Sequence, residues 1–272
     1  MGSKISFCIW NVHGMDGYRD YEMPNFVVDE ILSKEKDIVI LTEFIRSKKW
    51  GSISRKFARK YWRYTYCSNN NTNEILILIK KGILGIDDDI LKGIKSQMMP
   101  ANNKNPNYLH IVINLPNNKS LFVFGIRIRD DDHVCQFDLF NSYLKTLGLT
   151  DNDYIFGGGD FNEWKNPIQK KVNFLSIHTP KVDLGDKPFE VSSAKESTIS
   201  TWSAILTKKD GSTGKAVIDH VATKNCSYVM LEDYCWDFVK KENGYGDLTA
   251  TDVLSDVLYH PDHAILLGEF KL

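Results

Sequence analysis

The run Ile38-Val39-Ile40-Leu41 is apolar without interruption and leads directly into Thr42-Glu43. A half-exposed strand alternates apolar and polar residues, so an unbroken run of this kind reads as a strand buried on both faces, with Glu43 at its carboxyl end. Other strand-like segments recur along the chain. Alternation through Ile5, Phe7 and Ile9 to Trp10 predicts a strand that ends in the turn Asn11-Val12-His13-Gly14. Further strands are predicted over Glu74 to Lys80, Tyr108 to Leu115, Leu121 to Ile128, Ala216 to Ala222 and Ala264 to Leu267. In the third of these segments, Val123, Gly125, Arg127 and Arg129 share one side, while Phe122, Phe124, Ile126 and Ile128 share the other. Helical spacing links Phe26, Val27, Ile31 and Leu32; then Ile53, Phe57 and Tyr61; then Phe137, Phe140, Tyr143 and Leu144. The polar stretches from Gly85 to Pro106 and from Glu163 to Ser200 receive no assignment.

The segment Tyr154 to Asn162 reads YIFGGGDFN. Its apolar start predicts the end of a buried strand, and the three glycines predict a sharp turn with close backbone approach. Asp160 and Asn162, two apart, would then stand side by side on one side of the chain. Taken alone, such a segment is an ordinary Asx-rich turn.

A chain of 272 residues can bury a large core, and no break in composition divides it, so one domain over residues 1–272 is expected. The formal net charge of -1 excludes a chain coated in basic charge but allows a local patch. One candidate patch runs from Lys48 to Arg63, where basic residues interleave with Trp50, Phe57, Tyr61 and Trp62 and no acid intervenes. A solvated helix face is the plainer explanation of that stretch. No run has the length of a membrane span, and no secretory signal opens the sequence. The cysteines Cys8, Cys67, Cys135, Cys226 and Cys235 are scattered and odd in number, as reduced core thiols are, so a cytoplasmic monomer is expected.

Asn11, Glu43, Asp160, Asn162 and Asp219 each lie in or beside a predicted core strand, and Asp262-His263 introduces one. Carboxylates at buried edges are costly unless paired or metal-bound. If these groups converge on one rim they form an oxygen-rich site suited to Mg²⁺ or Mn²⁺.

The segments IWNVHG at Ile9 to Gly14, ILTEF at Ile40 to Phe44, GGDFN at Gly158 to Asn162, STW at Ser200 to Trp202, VIDHV at Val217 to Val221 and PDHAIL at Pro261 to Leu266 span nearly the whole chain. In this order they resemble the endonuclease/exonuclease/phosphatase superfamily of deoxyribonuclease I-like phosphoesterases. The resemblance implies a four-layer α/β sandwich, two packed and mostly antiparallel β-sheets flanked by helices, with the site at one edge of the sheets. It implies Glu43 as principal metal ligand, with Asn11 and Asp262 near the metal. Asp160 would orient or deprotonate the attacking water, Asn162 would donate to phosphoryl oxygens, and Asp219 would hold His263. Whether Asp160 or His263 is the base stays open.

The chain departs from the family where many members carry a histidine, reading Gly125-Ile126-Arg127-Ile128-Arg129-Asp130. Arginine is no general acid at ordinary pH but clamps phosphate, so Arg127 and Arg129 are candidate phosphate contacts, Arg127 first; a surface pair with Asp130 to Asp132 is the alternative. His13, His220 and Trp202 are further candidate substrate contacts, with a structural role or packing as the alternative for each. The expected function is divalent-metal-dependent phosphodiester hydrolysis on DNA, RNA or a nucleotide-derived substrate. The alternatives are a phosphatase of an inositol- or lipid-derived phosphate, lacking here the arginine that such enzymes place after the Asp219 position, and a silent binding module on the same scaffold.

Overall fold

The computed structural model describes residues 4–12, 25–44, 50–65, 74–99, 106–129, 133–163, 165–172, 175–180, 189–191, 201–207, 213–238 and 261–272. In chain order the first half comprises β1 (Lys4–Asn11), α1 (Asn25–Lys34), β2 (Ile38–Phe44), α2 (Trp50–Ala58), β3 (Tyr61–Thr65), β4 (Glu74–Lys80), α3 (Asp88–Gly93), β5 (Gln97–Met98), β6 (Asn107–Asn114) and β7 (Ser120–Arg127). There follow α4 (His133–Thr146), β8 (Tyr154–Asp160), α5 (Lys165–Lys171), β9 (Ser176–His178), β10 (Phe189–Val191), β11 (Ala204–Thr207), β12 (Thr213–Ala216), β13 (Asp219–Lys224), β14 (Tyr228–Leu231) and β15 (Leu266–Lys271).

Two six-stranded sheets carry the fold, ordered β14-β15-β1-β2-β4-β3 and β5-β6-β7-β8-β13-β9, with a small third sheet β10-β12-β11. Each large sheet has a parallel pair at its centre, β1 with β2 and β7 with β8, and antiparallel neighbours outside. A parallel pair needs a crossover; α1 and α4 lie between the paired strands in sequence. The sheets meet face to face: Phe7 of β1 and Phe156 of β8 have ring centroids 4.9 Å apart. A Cβ on Gly125 of β7 would lie 2.6 Å from Ile75 of β4 and 2.8 Å from Ile40 of β2. On the outer face of the second sheet, Phe124 and Ile126 pack with Phe137, Phe140 and Leu144 of α4. The α/β sandwich implied by the sequence is therefore the observed architecture.

Three local readings differ from the structure. The helix holding Ile53 and Phe57 stops at Ala58, and Tyr61 begins β3, where its buried ring sends its hydroxyl to Lys36 O at 2.9 Å. The predicted strand Ala216 to Ala222 is two strands in two sheets, β12 and β13, broken at Val217-Ile218. Gly157 to Gly159 do not turn; β8 runs through them to Asp160. The polar stretch after Gly85 contains α3 and β5, and that after Glu163 contains α5, β9 and β10.

One buried group outside the sheet rim makes stability depend on acid. His110 of β6 is 1% exposed, stands among Tyr108, Phe122 and Tyr143, and its Nδ1 has no hydrogen-bond partner among the described residues. Burial lowers its pKa from 6.5 to about 4. A depressed imidazole contributes stability that is present above the unfolded value and lost as pH falls from about 6.5 towards 4, because only the unfolded chain takes the proton there. Urea unfolding of the wild type and His110→Leu across that window should show their stability difference drifting by about 1.4 kcal/mol per pH unit against the wild type. Parallel pH curves would refute it.

Candidate active site

Residues from both sheets reach one rim, at the carboxyl ends of the parallel pairs. In β1, Phe7 and Ile9 face the second sheet, so Asn11, two residues on, faces it too at the rim. In β7 the side that holds Val123 and Gly125 ends in Arg127, as the alternation predicts. β8 and β13 are registered so that Asp160 stands opposite Asp219, both on the inward side with Phe156 and Val221.

Glu43 reaches the rim by another route. Simple alternation from Ile40 would turn Thr42 inward and Glu43 away. A register shift between Leu41 and Phe44 and a φ of 52° at Glu43 break the alternation. Such a bulge re-aims a side chain, and a positive φ in a glutamate persists only where the surroundings hold it.

The groups then meet around the amide of Asn11. Its Nδ2 donates to Glu43 Oε1 at 3.1 Å and to Asp160 Oδ2 at 3.1 Å, and lies 3.3 Å from His263 Nε2. Arg127 donates from Nε to Glu43 Oε1 at 2.6 Å and stands 4.0 Å from Asp160 Oδ2. His263 donates from Nδ1 to Asp219 Oδ2 at 2.8 Å, which turns Nε2 to the rim, 3.8 Å from Asp262 Oδ1.

Supporting contacts fix this pair, and sequence reasoning missed them. Ser203 Oγ accepts from the backbone N–H of Ile218 at 2.8 Å and of Asp219 at 3.2 Å, at the break between β12 and β13. Tyr234 donates its hydroxyl proton to Asp219 O at 2.7 Å, and Trp10 Nε1 donates to His263 O at 2.9 Å. Ser203 directly follows the STW motif, which was the available signal; nothing in the sequence around Tyr234 marks it.

The electrostatics are those of an anionic pocket. Glu43, Asp160, Asp219 and Asp262 are 5%, 2%, 1% and 7% exposed, against the cations Arg127 and His263. Burial, reinforced by Asp219 and Glu43, pushes the Asp160 carboxyl above its ordinary range, although His263 and Arg127 pull the other way. Burial alone would lower His263, but Asp219, Asp262 and Asp160 outweigh it and hold the imidazole above its ordinary value. Asp219 Oδ1 is buried with no hydrogen-bond partner among the described residues. Excess buried carboxylate oxygen of this kind fits a hard divalent cation. Among the described residues no three His, Cys, Asp or Glu side chains form a ready metal cluster.

The remaining candidates are placed as follows. Asn162, at φ 45°, gives its amide N–H groups to Ile128 O at 2.5 Å and Asp160 Oδ2 at 3.3 Å, while its backbone N–H meets Asp160 Oδ1 at 2.9 Å. The amide expected to serve a phosphoryl oxygen thus donates here to Ile128 O and Asp160, and the backbone N–H adds a second hold on Asp160. His220 faces away from Asp219, is 0% exposed and is fixed by Thr179 Oγ1 at 2.7 Å and Glu163 O at 2.9 Å; it is a structural histidine. Trp202 is wholly buried in the larger core, with its carbonyl accepting from Trp236 Nε1 at 3.0 Å, so its ring has no open face for a substrate base. Arg129 anchors the chain beyond β7, its backbone N–H meeting Gln136 Oε1 at 2.9 Å. His13 lies outside the described residues, as do Lys48, Lys49 and Asp130 to Asp132. In the basic stretch, Lys56 pairs with Asp29, Lys60 with Glu35, and Arg63 donates to Ser54, while Arg55 and Arg59 are exposed.

No protein-family model matches the sequence, and neither does any curated protein. Solved structures do match. ANGEL2, described as a 2',3'-cyclic phosphatase, superposes with a TM-score of 0.64 at 12% identity, covering 100% of this chain and 96% of its own. Truncated TDP2 of Caenorhabditis elegans gives 0.61 at 13% identity, covering 99% of this chain and 98% of that one. An endonuclease/exonuclease/phosphatase protein from Beutenbergia cavernae gives 0.57 at 11% identity over 99% of this chain and 72% of that one. At such identities the likeness is one of fold, and the chain has the endonuclease/exonuclease/phosphatase fold that its ordered motifs implied.

Proposed function

We propose that this chain is a divalent-metal-dependent phosphodiesterase that acts by an activated water, with nucleic acid or a nucleotide-derived phosphodiester as substrate. The observation that carries the reading is the meeting point at Asn11 Nδ2, within 3.1 to 3.3 Å of Glu43, Asp160 and His263, where acids from both sheets adjoin an Asp–His pair. Glu43 would hold the ion, Mg²⁺ or Mn²⁺, with Asn11 and Asp262 beside it; when bound, the ion polarises the phosphoryl oxygen and neutralises developing charge. Asp160, held by Asn162, accepts the proton of the attacking water. His263, kept in place by Asp219, presents Nε2 to the oxygen that gains charge. Arg127 is the positive group for a non-bridging phosphate oxygen.

A nucleotide substrate is supported by the neighbours' own ligands: D. rerio TDP2 was solved with a single-strand DNA product, and ANGEL2 with adenosine-2',3'-vanadate. The free thiols of Cys8, Cys135, Cys226 and Cys235 support a reducing compartment, the cytoplasm.

The test is a substrate panel of single-stranded and duplex DNA, RNA, cyclic dinucleotides and inositol phosphates, with Mg²⁺ or Mn²⁺ and with chelator. Metal-dependent cleavage of at least one nucleotide phosphodiester is expected. Release of inorganic phosphate alone, or turnover indifferent to chelator, would overturn the reading.

A further inference from the structure

We infer that Arg127 is a two-position cation that stands on Glu43 until a metal ion takes that carboxylate, and then turns to the substrate phosphate. In this role it couples metal binding to substrate binding. The inference rests on the metal-dependent reading above and adds a competition that the reading does not require.

Glu43 is the carboxylate re-aimed by the bulge in β2, and its Oε1 accepts from Arg127 Nε at 2.6 Å and from Asn11 Nδ2 at 3.1 Å, the arginine being the only charged donor of the two. The guanidinium is also 4.0 Å from Asp160 Oδ2, so its positive charge lies among the oxygens that would face a divalent ion. Two cations cannot share those oxygens without strong repulsion at such distances. Metal binding at Glu43 therefore has to release the arginine. The side chain is placed for release: it enters from the last residue of β7, and its side-chain atoms are 19% exposed against 7% for those of Glu43. A fork of N–H donors displaced from one anion pairs well with another, and a phosphodiester offers it two non-bridging oxygens. A histidine at this position could not perform the exchange, since its charge depends on pH and it lacks the fork.

Two ligands that favour the same rearrangement assist each other, and the effect is reciprocal. Mn²⁺ binding measured by the loss of the free-ion electron paramagnetic resonance signal, with and without thymidine 5'-monophosphate, tests this on the whole chain. Arg127→Gln should bind Mn²⁺ about tenfold tighter than the wild type in the absence of nucleotide, a coupling of ordinary size. In the presence of Mn²⁺ the variant should bind the nucleotide about tenfold more weakly, and the mutual enhancement seen in the wild type should shrink. Arg127→Met, of similar length, repeats the measurement if the glutamine variant is poorly folded. A purely structural arginine would lower the melting temperature without tightening Mn²⁺ binding. Unchanged or weaker Mn²⁺ affinity in both variants overturns the inference and leaves the metal reading intact. Absence of Mn²⁺ binding in the wild type, or binding unaffected by Glu43→Gln, overturns both.

Discussion

Replacing Asp160 by asparagine should lower kcat on a bis-aryl phosphodiester with Mn²⁺ by about 10³-fold while changing the stability of the fold little. The two halves of this prediction have one origin. Asp160 is 2% exposed, and burial together with Asp219 and Glu43 makes its ionised form costly. A carboxyl whose pKa is raised in the fold weakens the fold once ionised, so at pH 8 the neutral amide removes that burden. The same change removes the group that accepts the water's proton; the amide oxygen can still take the hydrogen bond from Asn11 Nδ2 at 3.1 Å, while the Asn162 backbone N–H, 2.9 Å from Oδ1, loses its acceptor and offsets part of that gain. His263→Gln should also lose activity, but with a stability cost of about 3 kcal/mol, because Asp219, 1% exposed, then loses its cationic partner. Thermal melting beside turnover reads both. Wild-type turnover retained in both variants would sink the site that Asp160 and His263 define.

The second large effect lies in the glycines of β8. Gly159 has φ 146°, and a Cβ there would sit 2.0 Å from Ile126 O of β7 and 3.0 Å from Thr42 Cγ2. Neither backbone can yield easily, since Gly159 pairs with Ile126 on one side and with His220 on the other. Gly159→Ala therefore combines backbone strain with a clash and should cost about 3 kcal/mol or more in urea unfolding. It should also abolish turnover, because Asp160 is the next residue. Gly51→Ala in α2 is the control: a Cβ there meets nothing within 4 Å, and the change should be neutral or stabilise by about 0.5–1 kcal/mol. Equal stability of the two variants would refute the account.

These glycines also show where reading the sequence stops. A turn and a strand that passes very close to its neighbours both call for glycine, and only the neighbours distinguish them. In β8 the demand comes from Phe124 O and Ile126 O of β7 and from His220 O of β13, residues more than thirty positions away on either side. The run through Val217-Ile218 misled for a related reason: its apolar residues are buried throughout, but Ser203 Oγ takes the N–H groups of Ile218 and Asp219 and divides the run between two sheets. Where one strand owns its pattern, as in the unbroken run of β2 or the alternation of β7, hydrophobic period alone placed the element and the side that Arg127 takes.

The sequence by itself determined the layers, because burial leaves a period, and the identity of the polar groups at the strand ends, because order and spacing of motifs are local properties. Tertiary structure alone decided what those groups do to one another. Glu43 points at the site only through a bulge and a positive φ, which no period predicts. Asn162 spends its amide on Ile128 O and Asp160 Oδ2 because β7 and β8 end side by side in one sheet, and Arg127 stands on Glu43 at 2.6 Å because the two sheets close on each other. The Arg127–Glu43 hydrogen bond joins residues 84 positions apart over 2.6 Å, and that information exists only once the chain has folded.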